Sequence, residues 1–294
     1  MFDDDIYVVK MRNTVDDHGF VSDESEDTSL TITCPTLITS LTASASDISI
    51  PSTKNTLWVD KNGSDDTGDG TITKPYGTIG KALQQVSSPS ITNTYAIQIG
   101  AGQFEESTLT IPSYVGVYGR GTGTTKVKAA SAGTSVFVVS GSRVRIESMT
   151  ILGITTGSSN KGVDFVVPYT SYQDTPRIQN LVIRQCERGV YVSGGSSCIS
   201  FDVKSWDNAC CFESDNGQIT ELYNCTAFQT VEPRASGSVG FKFTADSRDQ
   251  WFYMWGITSW QNETSVKNLG TGPLAGGTMY GFSHNYESEG VTLQ

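Results

Sequence analysis

The 294-residue sequence is short of basic charge, histidine and long apolar runs, and each shortage excludes a class of function. Twenty Lys and Arg stand against 31 Asp and Glu, a formal net charge of −11, and no basic run offers a footprint for phosphates. Nucleic acid is therefore not an expected partner, and neither is an anionic membrane surface. No apolar stretch nears the roughly 20 residues that a spanning helix needs. The opening MFDDDIYVVK is acidic where a secretory leader is basic, so leader-directed export is not expected. Only His18 and His284 occur, near opposite ends of the chain, which argues against a histidine acid–base centre. Cys34, Cys186, Cys198, Cys210, Cys211 and Cys225 form no Cys-x-x-Cys pair and no Cys/His cluster. That spacing excludes a zinc site, and buried free thiols are expected in place of disulfides.

Residues 1–56 read as a separate arm. A short apolar piece, Ile6 to Val9, is followed by the acidic run Asp23-Glu24-Ser25-Glu26-Asp27 and by Ser/Thr-rich alternation over Leu30–Leu41, ending near Pro51. This is too polar to hold a core of its own.

Residues 57–96 carry the most specific local pattern. Leu57-Trp58-Val59 reads as a strand and runs into a Gly/Asp loop. Lys74-Pro75-Tyr76 follows, then Thr78 as the N-cap of a short helix through Ile79, Ala82, Leu83 and Val86. This segment, with AIQIGAGQFEES and LTIPSYVGVYGRG after it, resembles the start of right-handed parallel β-helix proteins of the pectate-lyase-like type. The resemblance spans residues 57–294. It implies an all-β fold: a single-stranded right-handed parallel β-helix with a short N-terminal capping helix, preceded by an extended N-terminal arm. Because that superfamily is functionally mixed, the fold leaves activity open.

An internal repeat agrees with a solenoid over residues 97–294. Ile183, Val203, Cys225 and Ile257 align, with Leu181, Phe201, Tyr223 and Trp255 two residues earlier and Cys186, Trp206, Phe228 and Trp260 three residues later. A second column runs through Val163 and Phe165, Val190 and Val192, Phe212, and Phe241 and Phe243. The alignment predicts about eight turns, a rod of roughly 40 Å at the ~4.8 Å strand spacing. It also predicts that Phe201, Trp206, Phe228 and Trp260 join the core.

Several residues are candidates for chemistry. Asp60, Asn62, Asp65, Asp66 and Asp69 are spaced somewhat like a calcium loop, but Asp65 stands where such a loop has Gly and Thr71 where it has Glu. Turn capping is the competing account, so no cofactor is expected and calcium is the alternative. Glu187 and Asp207 fall in one outward column, and stacked one turn apart they would suit a retaining glycosidase pair. Solvated turn positions explain them equally, and no catalytic residue is assigned. The acid and base sets that the superfamily's lyases and polygalacturonases carry are missing. Trp251, Tyr253 and Trp255 alternate onto one face and are candidates for a subunit interface or a sugar platform.

These features point to a non-catalytic structural or adhesive component of a virus particle: a tailspike, fibre or minor capsid protein. Its expected partners are other virion proteins or copies of itself, up to a homotrimer, and a host glycan. The expected location is the virion, assembled in the host cytoplasm, with the extracellular surface as the alternative. The competing function is a carbohydrate-active enzyme, a polysaccharide lyase or glycosidase acting on a cell-surface glycan. A bacterial adhesin is a third option.

Overall fold

The computed structural model describes the strands Ile6–Lys10 and Ser29–Thr33, residues 55–154, 159–230, 238–244, 251–262 and 264–268, and the strands Gly277–Tyr280 and Ser283–Asn285. The chain divides into two compact units, Met1–Ser52 and Thr53–Gln294. In the first, Ile6–Lys10 and Ser29–Thr33 pair antiparallel, with Ile6 opposite Thr33 and Lys10 opposite Ser29.

The second unit opens as the local pattern predicts. The backbone of Trp58 donates to Gly70 O and accepts from Tyr76 N, folding the Gly/Asp loop back on the first strand, Asn55–Val59. The helix Ile79–Gln84 follows and buries Ile79 and Ala82. Its N-terminal N–H groups find side-chain acceptors, as an otherwise orphaned helix start requires. Thr78 Oγ1 accepts from Lys81 N at 3.1 Å, and the Glu106 carboxylate accepts from Ile79 N at 2.7 Å and Gly80 N at 3.3 Å.

Beyond the helix the chain coils through three outward faces, and every strand ladder is parallel. The first face runs from Asn55–Val59 through Tyr95–Ile99, Val115–Tyr118 and the leading halves of Arg145–Leu152, Arg177–Arg184 and Ser197–Trp206. It continues with Ile219–Tyr223, Trp251–Trp255 and Gly277–Tyr280. The second face holds Gly102–Glu106, Thr125–Ala129, the trailing halves of the three long strands, then Thr226–Phe228, Thr258–Trp260 and Ser283–Asn285. The third is a separate sheet from Leu109–Ile111 to Thr264–Asn268. Parallel strands joined by crossovers of one hand make this a single-stranded right-handed parallel β-helix.

One corner explains why a long strand serves two faces. Ser148, Asn180, Asp202, Asn224 and Gly256 stand level with one another between the first and second faces, all with φ between 50° and 61°. Short polar residues and glycine tolerate this left-handed backbone best. A Cβ on Gly256 would also lie 2.6 Å from Asn224 Oδ1.

Inward residues stack in register. Val117, Ile146 and Ile178 line the first face, Phe104, Val127, Ile151 and Ile183 the second, and Phe137, Val163, Val190, Phe212 and Phe241 the third, all buried. The Phe212 and Phe241 rings stack at 5.0 Å and 9°.

The register bears out the expected alignment of Val203, Cys225 and Ile257 but moves Ile183 by two residues. Leu181 pairs with Val203, and Ile183 pairs with Ser205. Phe201 pairs with Gln179 on the outside of the first face, and Trp206 pairs with Arg184 on the outside of the second. Phe201, Trp206, Phe228 and Trp260 all point outward and leave the core; none is buried, and Trp260 is 45% exposed. The remaining predicted members, among them Val203, Phe165, Val192 and Ile257, are buried.

Val203 is wholly buried between Leu181 and the Cys225 level. Val203→Asp places an unpaired charge among apolar rungs and is expected to cost several kcal/mol in equilibrium chemical denaturation. A loss of only about 0.5 kcal/mol, typical of a surface site, would contradict this core.

Candidate functional site

The chemistry-bearing surface gathers at the corner with the left-handed backbone. In three successive turns one ring precedes the corner residue by one position and another follows it by four. Phe201 and Trp206 flank Asp202, Tyr223 and Phe228 flank Asn224, and Trp255 and Trp260 flank Gly256. Stacking then builds two ladders. On the first face Phe201 lies on Tyr223 at 4.8 Å and 11°, and Tyr223 meets Tyr253 at 5.7 Å. On the second face Trp206 meets Phe228 edge-on at 5.9 Å, and Phe228 meets Trp260 at 6.1 Å. Trp255 is 51% exposed.

Polar groups frame both ladders. On the first face Glu221 accepts hydroxyl hydrogen bonds from Tyr172 at 3.1 Å and Tyr223 at 3.0 Å. Burial, then the Glu221 charge, pushes both phenols above their ordinary range. On the second face the Arg184 guanidinium lies over the Trp206 ring at 5.7 Å and pairs with Asp207 at 2.8 Å. Asp207 also accepts from Thr230 N at 2.7 Å and Thr230 Oγ1 at 2.7 Å. Desolvation opposes charge on Asp207, yet the Thr230 and Arg184 hydrogen bonds hold its carboxyl below the ordinary value.

Glu187 and Asp207 do not stack on each other. Arg184 is level with Trp206 and Arg188 with Cys210, so Asp207 sits above Gln185, and Glu187 belongs at the level of Ala209. Of the aromatic candidates, Tyr253 and Trp255 lie on the first-face ladder; the Trp251 side chain is outside the described residues.

The acids of the opening loop point at different backbone groups. Asp60 Oδ1 accepts from Asn62 N at 3.0 Å, and Asp69 Oδ1 accepts from Thr71 N and Oγ1 at 3.0 and 2.7 Å. Asp65 binds Gly77 N, Thr78 N and Thr78 Oγ1 at 2.8, 2.9 and 2.6 Å. Asp66 N donates to Ser64 Oγ at 3.3 Å. Among the described residues no three His, Cys, Asp or Glu side chains converge as metal ligands.

A second cluster, not anticipated from the sequence, covers the third face. Glu213 is nearly buried and receives Arg188 Nε at 2.6 Å and Lys242 Nζ at 2.7 Å. Asp164, 7% exposed, pairs with Lys161 Nζ at 2.7 Å and accepts from Ser135 Oγ at 3.1 Å through Oδ2; its Oδ1 is buried with no partner. Between them stands Tyr191, with Lys161 and Arg188 over its ring at 4.2 and 4.9 Å and its hydroxyl on Asp215 at 3.1 Å. Its phenol is pushed up to about 12 by burial, then by Asp215.

The described cysteines are free and buried, and desolvation pushes the Cys186, Cys198, Cys211 and Cys225 thiols up to about 12, far from nucleophilic thiolates.

The second-face ladder was readable as an aromatic pair five residues apart recurring around Asp, Asn or Gly. The third-face cluster had a weaker signal, charged residues alternating with apolar ones in Lys161–Phe165 and Arg188–Val192.

Asp207 yields a pH-dependent prediction. A carboxyl depressed in the folded state adds stability above its unfolded value, near 3.8, and loses it as pH falls through the folded value. Asp207→Asn is expected to lower the thermal midpoint at neutral pH, with the gap to wild type closing as pH drops below 3.8. A gap independent of pH would rule out the charge as its origin.

No family model and no curated protein matches the chain. Among solved structures, the rice weevil pectin methyl esterase is 16% identical over 76% of this chain and 90% of its own, with a TM-score of 0.49. A pectin methylesterase in complex with a hexasaccharide is 13% identical over 80% and 91%, with a TM-score of 0.44. ORF18 of Geobacillus virus E2 is 16% identical over 79% and 62%, with a TM-score of 0.41. At these identities the likeness is one of fold, and the parallel ladders above establish that fold for this chain.

Proposed function

We propose that this chain is a non-catalytic structural and adhesive rod of a virus particle, a tailspike, fibre or minor capsid protein. The β-helix is the rod, and residues 1–56 attach it to another particle protein or a neighbouring copy. A host glycan is a further ligand in this reading, and no cofactor is invoked. The observation that carries it is the aromatic corner: rings held at the surface over three turns, with Glu221 and Asp207 beside them engaged in hydrogen bonds. Such a surface serves association. A proton-transfer site needs a carboxyl poised near its working pH, whereas Asp207 is held as a carboxylate.

Attachment by the arm follows from composition. Ordering a polar segment costs about 1–2 kcal/mol per residue in backbone entropy, which a partner's surface is suited to offset. Deleting residues 1–50 is expected to leave the thermal unfolding of the β-helix nearly unchanged while abolishing incorporation into particles. Aggregation or early unfolding of the truncated chain would make the arm part of the core instead.

One observation favours the enzymatic alternative, a lyase or glycosidase: Asp164, nine-tenths buried with an unpartnered oxygen beside Lys161. The wild-type chain is expected to release neither new reducing ends nor unsaturated sugar products from polysaccharides. Cleavage that disappears in Asp164→Asn, with folding intact, would establish the alternative and overturn the structural reading.

A further inference from the structure

We infer that the aromatic corner is a contact between copies of this chain, in which the first-face ladder of one copy packs on the second-face ladder of the next. This deepens the reading of the corner as an association surface. The two ladders occupy the same three levels: Phe201 with Trp206, Tyr223 with Phe228, Trp255 with Trp260. They differ in character and lie on adjoining faces of one edge. A ligand that stacks on rings needs a single platform. Two matched but unlike platforms are what a heterologous self-contact needs, because each copy supplies one face to each neighbour, and repetition closes a ring when the rotation permits.

Charge selects the same arrangement. The first-face ladder carries Glu221, level with Tyr253 and Ile199. The second-face ladder carries the exposed Lys204, level with Thr226, while the charge of Arg184 is met by Asp207 on the same face. First face on second face therefore brings acid towards base at adjoining levels. A twofold pairing of first face with first face would set Glu221 surfaces together, and second on second would set the Lys204 surfaces together; like charges across an interface are penalised. Parallel packing also brings Trp255 and Trp260, each about half exposed, from neighbouring copies to one level, where covering them removes apolar ring surface from water.

The test is the mass of the full chain in solution, by sedimentation or light scattering across micromolar concentrations, with circular dichroism confirming the fold. Wild type is expected to be a closed oligomer. Lys204→Glu alone and Glu221→Lys alone shift it to monomer, and the double variant exchanging both charges recovers the oligomer. Trp260→Ser, which removes a surface ring without altering charge, also gives monomer. A monomeric wild type, single variants that assemble like wild type, or an exchange that fails to restore assembly each overturns the inference. So does a monomer whose tryptophan fluorescence shifts on adding oligogalacturonate, which would make the ladders sugar platforms. Should Glu221→Lys fail to fold, retention of the oligomer in both Lys204→Glu and Trp260→Ser overturns it. Particle incorporation through residues 1–50 is read independently, so the failure of one proposal leaves the other standing.

Discussion

The left-handed residue at one corner of each turn is the constraint on which the rest of the rod depends. A continuous strand alternates its side chains between two sides. A residue with φ near +50° breaks that alternation by turning the chain onto a new face. Phe201 and Val203 are two apart and would share a side of a regular strand; with Asp202 left-handed between them, Phe201 faces out and Val203 in. The same reset at Asn224 and Gly256 turns Tyr223 and Trp255 outward while leaving the Cys225 and Ile257 positions in the core. One backbone state, repeated by residues that tolerate it, both closes the coil and aligns two columns of surface rings.

How much of this the sequence revealed follows the same logic. The opening strand, the Thr78 cap and the helix at Ile79 were legible because their determinants are local. A hydroxyl three residues before the N–H it accepts and apolar residues at helical spacing suffice. Register was legible only in part: Val203, Cys225 and Ile257 stack as aligned, and Ile183 does not join them. A slip of two residues returns every inward position to an inward position, so Val203 sits as comfortably opposite Ile183 as opposite Leu181, its true partner. The polar interior added to the ambiguity: Ser200 and Ser205 are wholly buried among apolar rungs, and a serine carries no apolar signal that marks its position as inward. The same slip placed Asp207 beside Glu187, and it set Trp206 opposite Cys186, an inward residue past the left-handed Gln185, where the alternation is reset.

Buried amides bind the next corner. Asn208 Nδ2 donates to Ile183 O at 3.0 Å and to Ser205 Oγ at 2.8 Å, while its Oδ1 accepts from Cys186 N at 2.8 Å. Gln229 Nε2 then donates to Asn208 O at 2.6 Å, and Asn262 Nδ2 to Ala227 O at 3.1 Å. These side chains satisfy backbone groups where the chain leaves the ladder, which a buried turn must do by some means. They join one turn to the next by bonds with a direction, as apolar stacking alone does not.

The third face shows the other way a solenoid handles polarity. Glu213 is nearly removed from water yet holds a cation on each oxygen, with Arg188 from the turn before and Lys242 from the turn after. Such a network adds little net stability against an apolar equivalent, but losing one member leaves a carboxylate under-compensated in a dry site. The penalty falls on wrong pairings, because a slip of two residues would carry Lys242 off the level of Glu213 and would change the three-residue offset across which Arg188 reaches it. Hydrophobic columns are indifferent to that slip, whereas ion pairs and amide bonds between named levels are not. The polar groups therefore supply the register that the apolar core leaves undetermined, and the two aromatic ladders depend on that register to stand at matching levels on either side of the corner.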